Sequence, residues 1–570
     1  MRINIIGNHR KGTGVSQDVQ ILHGLIVHVL GKETQIRHIP HYYPQCPEAE
    51  INFFIEVINS SLFTYAAKNI WIPNPEWTYK TWEPYAKMVD EIWVKTHEAE
   101  KLFAGWGVET RYIGWTSIDK VEPEKKNYWK AIVPVGKNIW RNPKPIIQVY
   151  MAAKRKDPSL YKAFPVLHIV YDPQAIPLAD IPDEYIEKIK LIKGPIPEKE
   201  YDELLQECGM CICLSAAEGF GHAVNEAMSA GCIPLLSPID AFRELAHEAL
   251  WVSNKSMTPH PHCLGTLEDV DLESVLDSLI VYCTSDFRLK TRKSALVRAE
   301  YEARHQAFVQ RMEGVLAQFK DIPEHSVEKL LPKEDDLPSV SIITVTKDRR
   351  TFIPLAKYCF LSQSYPESKL EWVIVDDGKD QIKDLVSDLP NVTYVLCDER
   401  EGGWTIGAKR NLGVERAKHD VLVMMDDDDV YPNNSLLTRV AYMLAEPKKH
   451  ECVFSTTIPC YDIHETKSFM NVPPSVLAMA DRVSEATLCF TRDFWKNRQF
   501  PDQQVAEAGA FIRGREQMCR EVSPQDVIVS LTHKKTTSSR KAPAGEPNGC
   551  HYGFADELFT LVSEIAQSIA

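Results

Sequence analysis

The chain has 570 residues, 44% of them apolar and 25% charged, with a formal net charge of −14. That length exceeds what one hydrophobic core can organise, so three or four domains are expected, and the composition is that of globular protein rather than disorder or fibre. The acidic balance argues against a surface-wide footprint for nucleic acid, and no apolar run approaches the roughly 20 residues that span a bilayer.

Met1 to Asn8 reads as a strand running into a loop, too short in its apolar part for a secretory signal peptide. A cytoplasmic protein is the expectation, and the 14 cysteines fit it. Cys211, Cys213 and Cys489 sit in apolar runs, where a cysteine behaves as a small hydrophobe. Cys208, Cys211 and Cys213 lie close together, but no second cluster has zinc-ligand spacing.

Along residues 1–140 short apolar runs alternate with helical patterns. Arg2 to Gly7 is strand-like, Gln17 to Leu30 is amphipathic, and Ile70 to Pro73 and Glu91 to Lys95 are again short and apolar. The rhythm repeats over 141–318, at Ile146 to Met151, Val166 to Tyr171, Ile189 to Lys193, Met210 to Ser215 and Ile233 to Ser237. Strands alternating with helices predict parallel sheets covered on both faces, and two in tandem predict two Rossmann-like lobes. Residues 285–318 read as a long helix. The acidic, proline-bearing stretch 319–338 reads as a linker. A third α/β unit then covers 339–570, with strands at Val340 to Val345, Trp372 to Val375, Val392 to Leu396 and Val421 to Met425. The fold class is α/β throughout.

The most informative residues are Asp426-Asp427-Asp428-Asp429, directly after an apolar strand. Four adjacent carboxylates repel one another unless something cationic sits among them, and a divalent cation with oxygen ligands is the natural solution. A solvated acidic turn is the structural alternative. Upstream, Asp376-Asp377-Gly378 follows another strand, at the end where open α/β sheets bind ligands. Between them lies Gly402 to Gly413, with Lys409 and Arg410 at a helix start suited to phosphate.

The ordered set Val-Ser-Ile-Ile-Thr-Val-Thr-Lys-Asp-Arg, Val-Asp-Asp-Gly, Gly-Ala-Lys-Arg-Asn-Leu-Gly and Met-Asp-Asp-Asp-Asp-Val-Tyr resembles the GT-A glycosyltransferases of family 2 over residues 340–435. The resemblance implies that Thr346, Asp376, Asp377 and Asp427 help hold the nucleotide sugar. It also implies that Asp426 and Asp428 bind Mg²⁺ or Mn²⁺. In that family a carboxylate base follows further along the chain, which points here to Asp502 and Glu507, with Glu507 favoured. The family's usual Glu-Asp pair is absent, and Lys379 replaces the serine that normally follows Asp-Asp-Gly. His533 resembles a late histidine used by some GT-A enzymes as a further metal ligand; a structural histidine is the alternative.

A second signal is the segment Ser215 to Pro234, in which a strand, a glycine-bearing loop, a helix and a strand follow one another. Small residues let backbone approach a ligand, and the helix N-terminus favours phosphate. The segment resembles the Glu-x7-Glu motif of retaining GT-B glycosyltransferases, family 4 especially. By that resemblance Glu218 faces the donor sugar, Glu226 faces the ribose, and the backbone from Phe220 to Ala223, including Gly221 and His222, lines the diphosphate. Gly12 and Gly14, in the loop after the first strand, match the glycine-rich loop opposite the donor. Lys154 and Arg155 (with Lys156) are chosen as the basic residues that neutralise the diphosphate, a solvated loop being the alternative. The front-lobe aromatics are mainly core, with Trp77 and Trp82 as acceptor candidates.

These expectations amount to a bifunctional enzyme moving sugars from nucleotide-sugar donors to hydroxyl acceptors of a glycan or related molecule. One site would be metal-independent and one metal-dependent. The alternatives are a single active rear module with a front scaffold, a transferase acting on hydroxymethylated DNA bases, and a nucleotide sensor. The basic stretch from His533-Lys534-Lys535 to Arg540-Lys541 keeps nucleic acid open as a partner, with a solvated loop as the plainer reading.

Overall fold

The computed structural model describes residues 1–10, 12–120, 126–327, 330–445, 449–534 and 553–569. The greater part of the basic stretch near the C-terminus, from Lys535 through Lys541, lies outside the described residues.

Two six-stranded parallel sheets and one mixed seven-stranded sheet organise the chain. The first sheet runs in the order Gln35–Pro40, Arg2–Gly7, Ala49–Ile55, Ala66–Ile72, Glu91–Val94, Arg111–Tyr112, every neighbouring pair being parallel. The second runs Leu250–Trp251, Ile233–Leu236, Cys208–Cys213, Asn127–Gly136, Val166–Tyr171, Ile189–Lys193, also parallel. Central strands such as Ala49–Ile55 and Cys208–Cys213 are buried along their whole length, as helices on both faces of a parallel sheet require. These are two Rossmann-like lobes.

Two details of the second lobe differ from the sequence expectation. Ile146 to Met151 is not a strand but part of the helix Lys144–Lys156, whose buried face is Ile146, Val149, Tyr150 and Ala153. That is helical spacing, and the run of apolar residues concealed it. The strand at the centre of the sheet is Asn127–Gly136, so the second sheet begins inside the stretch expected to belong to the front lobe.

The helix Phe287–Ala317 is 31 residues long and starts on the second lobe. It crosses back to the first, where Val297, Tyr301 and Phe308 join Ile3, Ile5 and Phe53 in one core. Along the way the Tyr301 hydroxyl donates to the Ser117 carbonyl at 2.9 Å and Arg311 to that of Ile113 at 2.9 Å.

The rear sheet runs Val392–Leu396, Leu370–Asp376, Val340–Thr346, Val421–Met424, Cys489–Thr491, Cys452–Phe454, Cys519–Glu521. Its first four strands are parallel, and Cys489–Thr491 runs antiparallel to both neighbours. A small sheet of Lys467–Asn471, Ile458–Asp462 and Ser530–Thr532 stands beside it. The rear unit is docked on the front lobe rather than tethered to it. Front-lobe residues Trp71 and Trp82 share one apolar cluster with Phe454 and Met479, Trp82 Nε1 donates to the Ser475 carbonyl at 2.8 Å, and Arg482 donates to the Tyr85 hydroxyl at 2.6 Å. Trp82 is therefore interface core, not an acceptor platform.

Candidate active sites

The rear site forms where parallel strands end. Strand Val340–Thr346 delivers Thr346 and leads to Arg349, Leu370–Asp376 delivers Asp376 and Asp377, and Val421–Met424 delivers the four aspartates. Helix Ile406–Arg416, capped by the Thr405 side chain, enters with Lys409 and Arg410 buried. Gly407 permits this approach: a Cβ on it would lie 1.9 Å from the Pro501 carbonyl oxygen, so no other residue fits.

The four aspartates do four different things. Asp429 accepts from Ser530 Oγ (2.9 Å) and the Leu531 amide (3.0 Å), tying the small sheet to the site. Asp427, with a side chain 1% exposed, accepts from Thr346 Oγ1 (2.6 Å) and Arg349 (2.9 Å). Asp428 pairs with Arg349 and lies 3.2 Å from His533 Nε2. Asp426 is the most open at 27% and receives Arg410 Nη2 at 3.2 Å. Burial and the adjacent Asp428 push Asp427 up to about 7. Burial acts the same way on Asp428, but His533 and Arg349 outweigh it and hold that carboxyl below the usual range.

The basic residues are turned toward acids. Lys409 Nζ lies 2.6 Å from Asp377 Oδ1, and Arg410 Nε lies 2.9 Å from Glu507 Oε1. Asp376 is wholly buried and structural, accepting from the Gly378 amide (2.8 Å) and the Tyr394 hydroxyl (2.7 Å). Asp502 does not join the cluster. It is exposed and holds Thr405 Oγ1 (2.5 Å) and Arg400 (2.5 Å), so it braces the helix start.

Two residues at this site escaped the sequence reading. Arg349 is the counter-charge between Asp427 and Asp428. Glu485, half-buried on the turn before strand Cys489–Thr491, accepts from the Ala508 amide at 3.4 Å. Burial and Glu507 push the Glu485 carboxyl up to about 7, in the range where a carboxylate works as a general base. Glu507 itself is clamped by Arg410. Arg349 ends the first of the motifs quoted above, but chain order does not show that it meets Asp427 and Asp428; Glu485 sits in none of them, and its signal is only spatial.

The front site lies between the two lobes. Helix His222–Ser229 begins at Gly221, whose φ of +97° is left-handed. Opposite it the Gly12–Gly14 loop leads into helix Gly14–Leu30, where Thr13 caps the N-terminus, and a Cβ on Gly14 would meet the His222 ring at 3.2 Å. Each residue expected to face a donor is engaged by another side chain. Glu226 accepts from Gln17 Nε2 at 2.7 Å, and His222 Nε2 lies 2.7 Å from Asp18. Glu218 receives Arg141 through Nε at 2.6 Å and Nη2 at 3.1 Å. Asp18 in turn meets Lys95 Nζ at 2.5 Å.

Lys154 and Arg155 are not in this cleft. They occupy the last turn of helix Lys144–Lys156, with the Lys154 amine over the Tyr161 and Tyr185 rings. A helix C-terminus has the wrong dipole for an anion. The basic residue that does reach the glycine-bearing loop is Arg141, after strand Asn127–Gly136, which bridges to Ser215 and holds Glu218, and the misread strand hid it. From the front lobe, buried Glu76 faces Gly219: a Cβ there would lie 2.5 Å from Glu76 Oε2. Trp77 packs near Trp140 in the same cleft, ring centroids 6.0 Å apart.

Burial, Glu218 and Glu56 push the Glu76 carboxyl up to about 8. The folded state then keeps a proton that an unfolded glutamate loses above about 4.3. Folded chain binds more protons in that window, so stability falls as pH rises through it, by up to roughly 1.4 kcal/mol per pH unit. Glu76→Gln should flatten this component. Urea midpoints near pH 5 and pH 8 should differ less in the variant than in the wild type; equal differences would place the proton elsewhere.

Residues 341–502 match the family model described as glycosyl transferase family 2, and residues 185–257 match glycosyl transferases group 1. The chain thus carries a segment of each of two glycosyltransferase families. It is 46% identical over 63 residues to the GDP-mannose:cellobiosyl-diphosphopolyprenol alpha-mannosyltransferase of Xanthomonas oryzae, a match covering 11% of this chain and 16% of that protein. It is 27% identical over 146 residues to the putative teichuronic acid biosynthesis glycosyltransferase TuaG of Bacillus subtilis, covering 24% of this chain and 55% of that protein. Among solved structures, the mannosyltransferase PcManGT of Pyrobaculum calidifontis with GDP-Man and Mn²⁺ overlaps 36% of this chain and 60% of its own, at TM-score 0.27 and 20% identity. S. aureus TarS 1–349 with UDP-GlcNAc overlaps 36% and 62%, at TM-score 0.28 and 16% identity.

Proposed function

We propose that this chain, with segments of two glycosyltransferase families, moves sugars from nucleotide-sugar donors to hydroxyl acceptors at two sites. The metal-dependent site is the rear unit and the metal-independent site is the cleft between the front lobes. The observation that carries the reading is the gathering of Thr346, Asp377, Lys409, Arg410, Asp426, Asp428 and His533 at the carboxyl ends of adjacent parallel strands.

The donor set fits a hard divalent cation. Asp428 and His533 converge at 3.2 Å, and Asp426, two residues before Asp428, keeps a carboxylate 27% exposed. Among the described residues no three His, Cys, Asp or Glu side chains form a ready-made cage. Mg²⁺ commonly takes one or two carboxylates and completes its shell with substrate phosphates and water, which is the arrangement proposed here for Mg²⁺ or Mn²⁺ on Asp426, Asp428 and His533. Held there, such a cation would supply charge stabilisation for a departing diphosphate. The chain's own part is to orient and to move a proton. Thr346 and Arg349 fix Asp427, Lys409 fixes Asp377, and Arg410 fixes Glu507 against Asp426. Glu485, next to Glu507 and with its carboxyl raised to about 7 by burial and by Glu507, is the group assigned here to take the acceptor's proton. Glu485→Gln should lower metal-dependent transfer about 10²- to 10⁴-fold and remove the limb of the pH–rate profile near 7. A variant keeping both rate and limb would return the role to Glu507.

A panel of UDP-, GDP- and dTDP-sugars, with Mn²⁺ or with EDTA, tests the whole reading by nucleotide release. One activity should require the metal and one should survive the chelator. Loss of all turnover in EDTA, with fold intact, would favour the second reading, in which only the rear site is active. The internal pairing of Glu218, Glu226 and His222 in the front cleft is what favours that reading.

A further inference from the structure

A cavity of about 180 Å³ opens where the long helix crosses back to the first lobe. It is far larger than the roughly 10–15 Å³ that one water needs. Its walls come from both lobes: Tyr112 from the first, Phe220 and Leu245 from the second, and Arg304, Phe308 and Arg311 from the helix between them. One side is apolar, with Trp115, Phe220, Leu245 and Phe308 each no more than 6% exposed.

The other side is cationic, in a chain of net charge −14. Lys95, on the same wall, is neutralised by Asp18 at 2.5 Å. Glu244, the carboxylate of the lining, accepts from the His97 and Glu98 amides, each at 2.8 Å. It thereby caps the helix His97–Ala104 rather than an arginine. Arg304 and Arg311 stand about two turns apart on one helix face. Arg304 Nη2 lies 3.3 Å from His247 Nδ1 and its Nε 3.6 Å from Glu300, whose oxygens take the His247 and Glu248 amides at 2.8 and 3.2 Å. Arg311 donates to the Ile113 carbonyl and stacks 4.9 Å over the Tyr112 ring; among the described residues it forms no ion pair. Gly114, at φ +65°, makes room for it: a Cβ there would lie 2.8 Å from Arg311 Nη1.

A guanidinium keeps its charge and presents five N–H donors in a fixed fork. Two of them facing one cavity, neither in a close carboxylate pair, suit an oxyanion. A phosphate group offers three acceptor oxygens and nearly two charges, enough for both arginines. The apolar wall opposite suits a hydrocarbon or aromatic body.

We propose that this cavity binds a small phosphate monoester, its phosphate between Arg304 and Arg311 and its apolar body against Trp115, Phe220, Leu245 and Phe308. The assignment rests on the cavity and its two arginines and is independent of either catalytic reading. Because both lobes supply the walls, an occupant holds them together.

Phenyl phosphate is the probe, with inorganic phosphate and phenol as its two halves. Isothermal titration of the full chain in EDTA should show one phenyl phosphate bound per chain, with or without saturating GDP and UDP. It should bind about fivefold or more tightly than inorganic phosphate, because the ring is buried, and phenol should not bind. The melting temperature should rise with the ligand. Arg304→Gln should weaken binding about tenfold, the loss of a charged hydrogen bond. Ala307→Trp, which fills the cavity from an exposed position on its lining, should abolish binding. Both variants should melt like the wild type without ligand. Absence of binding by the wild type would overturn the proposal, as would both variants binding like it. Loss of binding in saturating GDP or UDP would place the probe at a nucleotide site instead. Equal binding of inorganic phosphate, or of phenol, would remove the apolar or the anionic half of the assignment and contradict it.

Discussion

Asp428→Asn should reduce Mn²⁺-stimulated transfer about 10³-fold while leaving chelator-resistant transfer at its wild-type rate. The side chain keeps its shape, so packing against Arg349 and His533 survives. What is lost is the negative oxygen that a divalent cation and the site's own cations share. A metal that stabilises a departing diphosphate supplies several kcal/mol, and about 4 kcal/mol corresponds to three decades of rate. Steady-state nucleotide release from each donor, with Mn²⁺ and with EDTA, reads both activities in one preparation. Loss of both, in a variant that melts normally, would mean that the two sites do not work independently.

Glu218 is expected to matter for stability as much as for chemistry. It is 4% exposed at its side chain and is gripped by Arg141 at 18%. Glu218→Ala would leave that guanidinium buried and unpaired, a change that costs about 3–5 kcal/mol in comparable pairs. Glu218→Gln keeps an acceptor oxygen and should cost less, while still depressing transfer at the front site. Replacing both partners, Glu218→Leu with Arg141→Met, should recover much of the lost stability. Urea unfolding of the single and double variants gives the coupling directly. If Glu218→Ala were as stable as wild type, the pair would be solvated and the cleft open. A loss of front-site transfer should therefore be scored in Glu218→Gln rather than in the alanine variant.

The sheets were legible where apolar runs were short and bounded, as at Val166–Tyr171 and Val421–Met424. Periodicity failed at Ile146 to Met151, where helical and extended readings of one run compete, and that error displaced the search for basic residues onto Lys154 and Arg155. The acidic motif gave the rear site's position, but chain order alone does not show which carboxylate meets which cation. The pairing of Lys409 with Asp377, the insertion of Arg349 between Asp427 and Asp428, and the approach of Glu485 to Glu507 are products of tertiary packing. So is the inter-lobe bridge from Lys95 through Asp18 to His222, whose members lie far apart in the sequence.

Arg349 also makes a claim about order of binding. While its guanidinium sits on Asp427 and Asp428, a bare cation meets a corner already compensated; a nucleotide diphosphate offers the arginine another partner and the cation further oxygens. The most direct test of the rear site is Mn²⁺ binding followed by electron paramagnetic resonance, with and without UDP or GDP, in wild type and Asp428→Asn. Wild type should bind Mn²⁺ weakly alone and much more tightly with a nucleoside diphosphate, and the variant should lose the enhancement. Equal Mn²⁺ binding by the two proteins in the presence of nucleotide would contradict the account.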